Sequence, residues 1–297
     1  MPRPVVVLAA VLLSMGPAAA QTVVDPASLM TTPVLLLSGD REVSQGTGFF
    51  FANTKTDGTP DTVFLVTNYH VITGVPPQSA ERRKGDRIRF VVHEDRHDLT
   101  RVRTLELPLY DEQGDPVWVA SAAYPAADIV LVPIPPRAHA GVSLLVFTEA
   151  HTQADIRIRP TSGATLLGYP FGFYDQKHFL PVWKTGHVAS EPAVDFEGRP
   201  MFLVDVSAFP GMSGSPVLAV ANGLYEATDG TIRTGRIWKL LGIFSTMPVV
   251  RERKTASPAD PFGNDAPRVI ETSLQLGYVW KAGLIAELAR GYAGRAE

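Results

Sequence analysis

Residues 209–217 read FPGMSGSPV. Two serines stand two apart, fenced by Gly211 and Gly214 and closed by Pro216. Glycines at these places let the backbone follow a tight path with little side-chain obstruction. The same path lets the N–H groups of Gly211 and Ser213 converge on one point, where a developing negative charge would be held. A serine hydroxyl is a weak nucleophile at neutral pH, so it needs a base to take its proton. A plain turn before a strand would use the same residues and need no base. The rest of the chain decides between these readings.

Outward from this turn, the chain breaks into short β-rich runs: 32–39, 46–53 (GTGFFFAN), 61–69, 86–94, 100–108, 116–124 and 127–134 in the first half. The second half adds 164–170, 184–190, 201–208, 215–222, 237–246 and 273–280. Many are rich in Val, Ile, Leu, Phe and Tyr, and turn residues recur between them. This pattern predicts an all-β sandwich or barrel. Only residues 281–293 read as a helix, with Leu284, Ile285 and Leu288 on one stripe. The Pro-rich, weakly periodic stretch 133–160 reads as a connection between two β halves. The charged, turn-rich stretch 250–268 reads as an exposed loop.

Composition narrows the function classes. Residues 1–20, MPRPVVVLAAVLLSMGPAAA, carry one charge, Arg3, then an apolar run, a Gly16-Pro17 break and three alanines. That is the layout of a secretory signal, with cleavage expected after Ala20. The expectation is an exported protein, periplasmic or secreted and of bacterial type, with no membrane span in its mature part. Gln21 to Thr31 reads as either a short propeptide or an N-terminal arm. The formal charge of −3 becomes −4 once Arg3 is removed. No basic face is evident, which argues against nucleic acid as a partner. There are no cysteines, which excludes disulfides and thiolate metal sites.

Two residues answer the serine's need. His70 ends the apolar run VFLVTNYH, where a rigid strand gives way to a turn, though a structural histidine would sit there equally well. Asp128 heads the apolar run ADIVLVPI, and a carboxylate at the mouth of such a strand needs a partner. It serves either to orient a histidine by accepting its Nδ1–H or to cap a turn.

The ordered set TNYHV, ADIVLV and GMSGSP resembles the trypsin-like (chymotrypsin-fold) serine proteases, in particular their disulfide-free bacterial branch. GTGFFF, LLGYP (166–170), LLGIFST (240–246) and LGYVWKAGLIAELA resemble further segments of that family, so the likeness covers most of 33–292. It implies two six-stranded-type antiparallel β-barrels packed together with a C-terminal α-helix. The peptidase domain would be residues 21–297, with an N-terminal barrel at about 33–132, the connection at 133–160 and the C-terminal barrel and helix at about 161–293. It further implies His70 as base, Asp128 as its orienter and Ser213 as nucleophile. Gly211 and Ser213 would supply the oxyanion N–H groups, and a polypeptide would be the substrate, with no cofactor and no metal. The substrate pocket would comprise Ser207 at its base, with Phe244, Ser245 and Met247 on its wall. A neutral base and Met247 predict a preference for small or medium apolar side chains.

The chain departs from the family pattern in three places. Met212 stands where zymogens carry an activating aspartate. No PDZ domain fits after residue 248. Phe244 stands where glutamyl endopeptidases carry a histidine. Two other readings stay open: a catalytically silent binding module on the same fold, and an esterase using the same triad. Outside this set, residues 93–98 (HEDRHD) cluster potential metal ligands but fall between two β runs and read as a polar hairpin tip. Phe171, Phe173 and Tyr174 read as a loop packed on the barrel, with a substrate-contacting aromatic loop as the alternative, and His178 and His187 read as structural.

Overall fold

The computed structural model describes residues 24–54, 60–142, 144–254 and 268–292. The expected signal sequence 1–20 and the middle of the 250–268 stretch lie outside these residues. A short helix, α1 (Pro26–Leu29), leads into β1 (Thr31–Ser38), β2 (Arg41–Thr54) and β3 (Pro60–Thr67). Then follow α2 (Tyr69–Thr73), β4 (Arg87–His93), β5 (Val102–Pro108) and β6 (Val130–Pro133). The six strands form one antiparallel sheet in the order β5-β4-β1-β2-β3-β6. An irregular segment bridges its two edges. Val117 N–H donates to the Leu109 carbonyl at 3.1 Å, and Val119 and Leu131 exchange two bonds of 2.9 Å.

That segment corrects the sequence reading. A strand is expected over 116–124, but only isolated bridges form, at Pro116 and Val119. Beyond Val119 the chain turns: Tyr124 N–H donates to Ser121 Oγ and Ala127 N–H to the Tyr124 carbonyl. Pro125, without an N–H, sits inside this turn and is ill suited to a ladder.

The second half carries α3 (Glu149–Thr152) in the connection, then β7 (Gly163–Gly168), β8 (Val182–Val188), β9 (Met201–Asp205), β10 (Pro216–Glu226) and β11 (Ile232–Phe244). β12 (Val249–Lys254), β13 (Arg268–Ser273), β14 (Leu276–Lys281) and α4 (Ala282–Gly291) complete the order. Six of these strands close into a barrel, β10-β11-β14-β9-β8-β7. β12 and β13 pair with each other as a ribbon, in register from Val249↔Ser273 to Lys254↔Arg268. The ends of the supposed loop 250–268 are therefore strands. The β-branched residues Val249, Val250 and Thr272 support them.

The run GTGFFFA shows why the two halves pack. Side chains along a strand alternate between faces, yet every residue from Gly46 to Ala52 in β2 is buried. Phe50 points into the core of the first barrel, with Leu65, Val130 and Val132. Phe49 and Phe51 point the other way, into a second cluster with Phe64, Val66, Leu131, Leu218 and Ile243. That cluster also takes Leu284, Ile285, Ala286 and Ala289 of α4 and Ala27 and Met30 around α1. It is thus the seam where the two halves and the terminal helix meet. A third cluster, with Leu166, Phe202, Val204, Met212, Val217 and Phe244, fills the second barrel. The segment from Ser28 is stitched in as well, since Trp183 Nε1–H donates to Ser28 Oγ at 2.9 Å.

Candidate active site

Strand pairing brings the chemistry-bearing residues together. β3 and β6 run antiparallel with Thr67 opposite Val130. A residue three past the end of β3 and one two before the start of β6 therefore emerge side by side: His70 and Asp128. The second barrel repeats the device. Pro216, the first residue of β10, lies opposite Ile243 near the end of β11, so Ser213 and Ser245 emerge together.

His70 does not end a strand, as the sequence reading had it; it is the second residue of α2. Asn68 takes the N-cap position but makes no side-chain cap bond. Its Nδ2 donates instead to the Asp128 carbonyl at 2.5 Å. Gly74 closes the helix at φ 68°, its N–H on the His70 carbonyl.

Asp128 is almost fully buried. One of its oxygens accepts the His70 backbone N–H at 3.0 Å. The other lies 2.6 Å from His70 Nδ1 and accepts the Ser245 hydroxyl, also at 2.6 Å. Burial is the largest single influence on the carboxyl and favours its neutral form. The His70 hydrogen bond and charge, with the Ser245 hydroxyl, outweigh it and hold the group below its usual range.

The two serines of the opening motif separate cleanly. Ser215 is completely buried, and its hydroxyl has no hydrogen-bond partner among the described residues. Ser213 is partly exposed, and its Oγ donates to the Ser245 carbonyl at 2.9 Å. Among the described residues, no hydrogen bond joins Ser213 to His70 in this arrangement.

The loop around Ser213 is fixed by backbone bonds. The N–H groups of Met212, Gly214 and Ser215 donate to the carbonyls of Phe209, Phe244 and Met212. Those of Gly211 and Ser213 have no partner among the described residues. Gly211 (φ 93°) and Gly214 (φ 91°) have a backbone that side-chain-bearing residues rarely adopt. A Cβ on Gly214 would lie 1.9 Å from the Thr47 carbonyl oxygen.

Thr47 belongs to the first barrel and makes four hydrogen bonds here, two of them to this loop. Its N–H donates to the Ser213 carbonyl at 2.8 Å, and its Oγ1 donates to the Gly211 carbonyl at 2.8 Å. Its Oγ1 also accepts Tyr169 N–H at 3.2 Å, and its carbonyl accepts the Thr67 hydroxyl at 2.7 Å. Met212, where an activating aspartate would stand, is fully buried in the second barrel's apolar core. Carbon packing takes the place of an ion pair there.

A cleft of about 480 Å³ opens beside these groups, lined in part by His70, Asp128, Ser245, Thr246, Val75 and Tyr278. The expected pocket residues are spread more widely. Phe244 is buried in the barrel core, and Met247 packs against the same cluster. Ser207 is exposed. Ser245 is buried and serves both Asp128 and Ser213. Sequence reasoning missed Thr47, Asn68 and the hydroxyl role of Ser245. The GTG of residues 46–48 was the signal for the first, since glycines on both sides of a strand threonine mark close backbone approach.

Residues 46–224, more than half of the chain and including His70, Asp128 and Ser213, match the model of the trypsin-like peptidase domain. The chain belongs to this family. No match is found among curated proteins. Among solved structures, this trypsin-like peptidase is similar to the serine endoprotease from Yersinia pestis, at 15% identity over 90% of this chain and 65% of that one, with a TM-score of 0.44. It is also similar to the inactive form of the Rv3671c protease, at 16% identity over 90% and 91% of the two chains, with a TM-score of 0.43. The chain thus spans about two thirds of the first structure's length and most of the second's.

The remaining candidate residues lie apart from the site. In the 93–98 turn, His93 Nε2 is 2.7 Å from the His178 carbonyl, and Glu94 pairs with Arg103 at 2.8 Å. His178 Nδ1 lies 2.7 Å from Asp175, and His187 is exposed on β8. Tyr174 packs on Tyr169 as expected of a barrel-covering loop, but Phe171 and Phe173 stand exposed rather than covering the barrel.

Proposed function

We propose that this trypsin-like peptidase is an exported serine endopeptidase, with Ser213 as nucleophile, His70 as general base and Asp128 as the group that orients it. The observation that carries this reading is the 2.6 Å contact between His70 Nδ1 and the buried Asp128 carboxyl. The carboxylate fixes the tautomer with its proton on Nδ1, leaving Nε2 free to accept one. This role requires the Ser213 side chain to turn away from the Ser245 carbonyl and present its hydroxyl to that nitrogen. Attack on a peptide carbonyl then forms the Oγ–C bond, and the proton passes to His70. The oxyanion is received by the unpartnered N–H groups of Gly211 and Ser213. Return of the proton to the leaving amine gives an acyl-enzyme, which water hydrolyses by the same route.

Export rests on the signal-like residues 1–20. The expected preference for a small or medium apolar side chain before the scissile bond rests on the family resemblance.

A second reading has its own observation. Ser213 donates to the Ser245 carbonyl rather than to His70, an arrangement that a silent binding module could keep permanently. Fluorophosphonate treatment of the mature protein near pH 8, with Ser213→Ala as control, separates the two. An adduct mapped to Ser213 is the expected result. A folded protein that takes up no label would favour the binding module.

A further inference from the structure

Beside the Ser213 loop stands a pair of aromatic side chains that the proposed mechanism does not use. Phe171 is 64% exposed and Phe209 is 42% exposed, with ring centroids 5.7 Å apart. Single exposed apolar residues are ordinary, but two adjoining phenylalanines form a patch that calls for an occupant. The pair is also held in place. Phe171 has φ 51°, a left-handed conformation that residues other than glycine rarely adopt. Three backbone bonds maintain it: Phe171 N–H to the Pro210 carbonyl at 2.6 Å, Gly172 to Tyr169 at 3.0 Å and Phe173 to Pro170 at 2.7 Å. On the other ring, Lys184 Nζ lies 4.8 Å from the Phe209 centroid. Strain retained next to a reacting centre points to use.

The position identifies the occupant. The Phe171–Pro210 bond abuts Gly211, whose absent Cβ leaves room for the Tyr169 carbonyl and the Phe171 N–H. Gly211 N–H is one of the two groups proposed to hold the oxyanion. Phe209 is two residues before Gly211 and Phe171 N–H lies against it, and neighbouring Cα atoms are about 3.8 Å apart, so the pair stands beside the residues that flank the scissile bond. Family resemblance assigns the residue before that bond to the Ser245–Met247 side, and neither phenylalanine lines the cleft there. We infer that Phe171 and Phe209 form a subsite for an aromatic or large apolar side chain on the residue immediately after the scissile bond. This rests on the reading of Ser213 as an acylating nucleophile.

Acyl transfer tests it directly. The mature protein is acylated with p-nitrophenyl acetate, and the acetyl-enzyme is offered equal concentrations of phenylalaninamide and glycinamide. Each amine nitrogen attacks the acetyl carbon, its proton passes to His70, and Ser213 Oγ leaves and recovers a proton. The acyl group is common to both products, so their ratio reads only the side that receives the leaving group. N-acetylphenylalaninamide should exceed N-acetylglycinamide by about ten-fold, the scale of discrimination by a small apolar contact. In Phe171→Ala and in Phe209→Ala the ratio should fall toward one. Equal products from the unaltered protein, or a preference that survives both substitutions, would overturn the subsite. Absence of any acetyl-enzyme would overturn both readings, and it is told apart because neither p-nitrophenol burst nor amide appears.

Discussion

At the scale of single residues, the proposed chemistry depends on how Asp128 is held. A carboxylate this deeply buried is costly unless its lone pairs are engaged, and His70, its backbone N–H and Ser245 engage them. Ser245→Ala removes one hydroxyl and leaves the His70 contact in place. A hydrogen bond to a charged group contributes about 1.5–3 kcal/mol, so turnover is expected to fall roughly 10- to 100-fold. Asp128→Asn would reverse the donor and acceptor preference toward Nδ1 and should cost about 10⁴-fold in kcat. Steady-state kinetics on one ester substrate ranks the two. Equal losses would mean that Ser245 does more than tune the carboxylate. The His70–Asp128 contact was legible in the sequence because each residue is a polar exception beside an apolar run, whereas Ser213 stood out by the glycines that flank it. Ser245 was legible only as a neighbour of the pocket, because its hydroxyl reaches Asp128 from a position 117 residues away in the chain.

At the scale of elements, strand ends place the site and Thr47 locks it. The clamp ties β2 of the first barrel to the loop before β10 through the Gly211 and Ser213 carbonyls. Thr47→Val keeps the shape and the backbone bond but deletes the hydroxyl. Gly211 would lose a donor and Tyr169 N–H an acceptor, both in a buried place, at a cost of about 1–3 kcal/mol. The urea midpoint should drop accordingly, and the rate of fluorophosphonate labelling should drop with it as the oxyanion loop loosens. A fall in stability with an unchanged labelling rate would show that Thr47 supports the fold alone. Most strands were legible as β-branched and aromatic runs between turn residues. The 116–124 run was not, because Val117 and Val119 promise a strand that Pro125 and the Ser121 turn cut short. The β12–β13 ribbon was hidden by its charges, which suit an exposed two-stranded ribbon as well as they suit a loop. Phe171 and Phe173 were expected to pack on the barrel. Aromatic content alone does not say which ring faces inward, and only Tyr174 does.

At the scale of the whole molecule, no disulfide braces the chain, so stability rests on three apolar clusters and on buried polar groups whose protonation changes with pH. Burial disfavours the charged form of His93, His139 and His151 and lowers each of their pKa values. In the unfolded chain these histidines take up protons as the pH falls through about 6.5. The folded protein resists that uptake, so the unfolded state binds more protons and stability declines as the medium is acidified. Asp128 acts in the same direction at lower pH. Its folded-state pKa lies below the ordinary carboxylate value, so its contribution is complete above about 4 and is lost as the pH falls through the folded value. The two groups together predict a decline in two stages, the first below about 6.5 and the second below about 4. Urea midpoints measured between pH 8 and pH 3 should trace it. His151 has the more specific environment, stacked on Trp238 at 4.6 Å and accepting the Thr148 N–H at 2.8 Å. Protonating His151 would turn that acceptor into a donor facing an N–H. A His151→Gln variant should therefore flatten the first stage and leave the second in place. An unchanged first stage in that variant would assign it to His93 and His139, which titrate in the same window for the same physical reason.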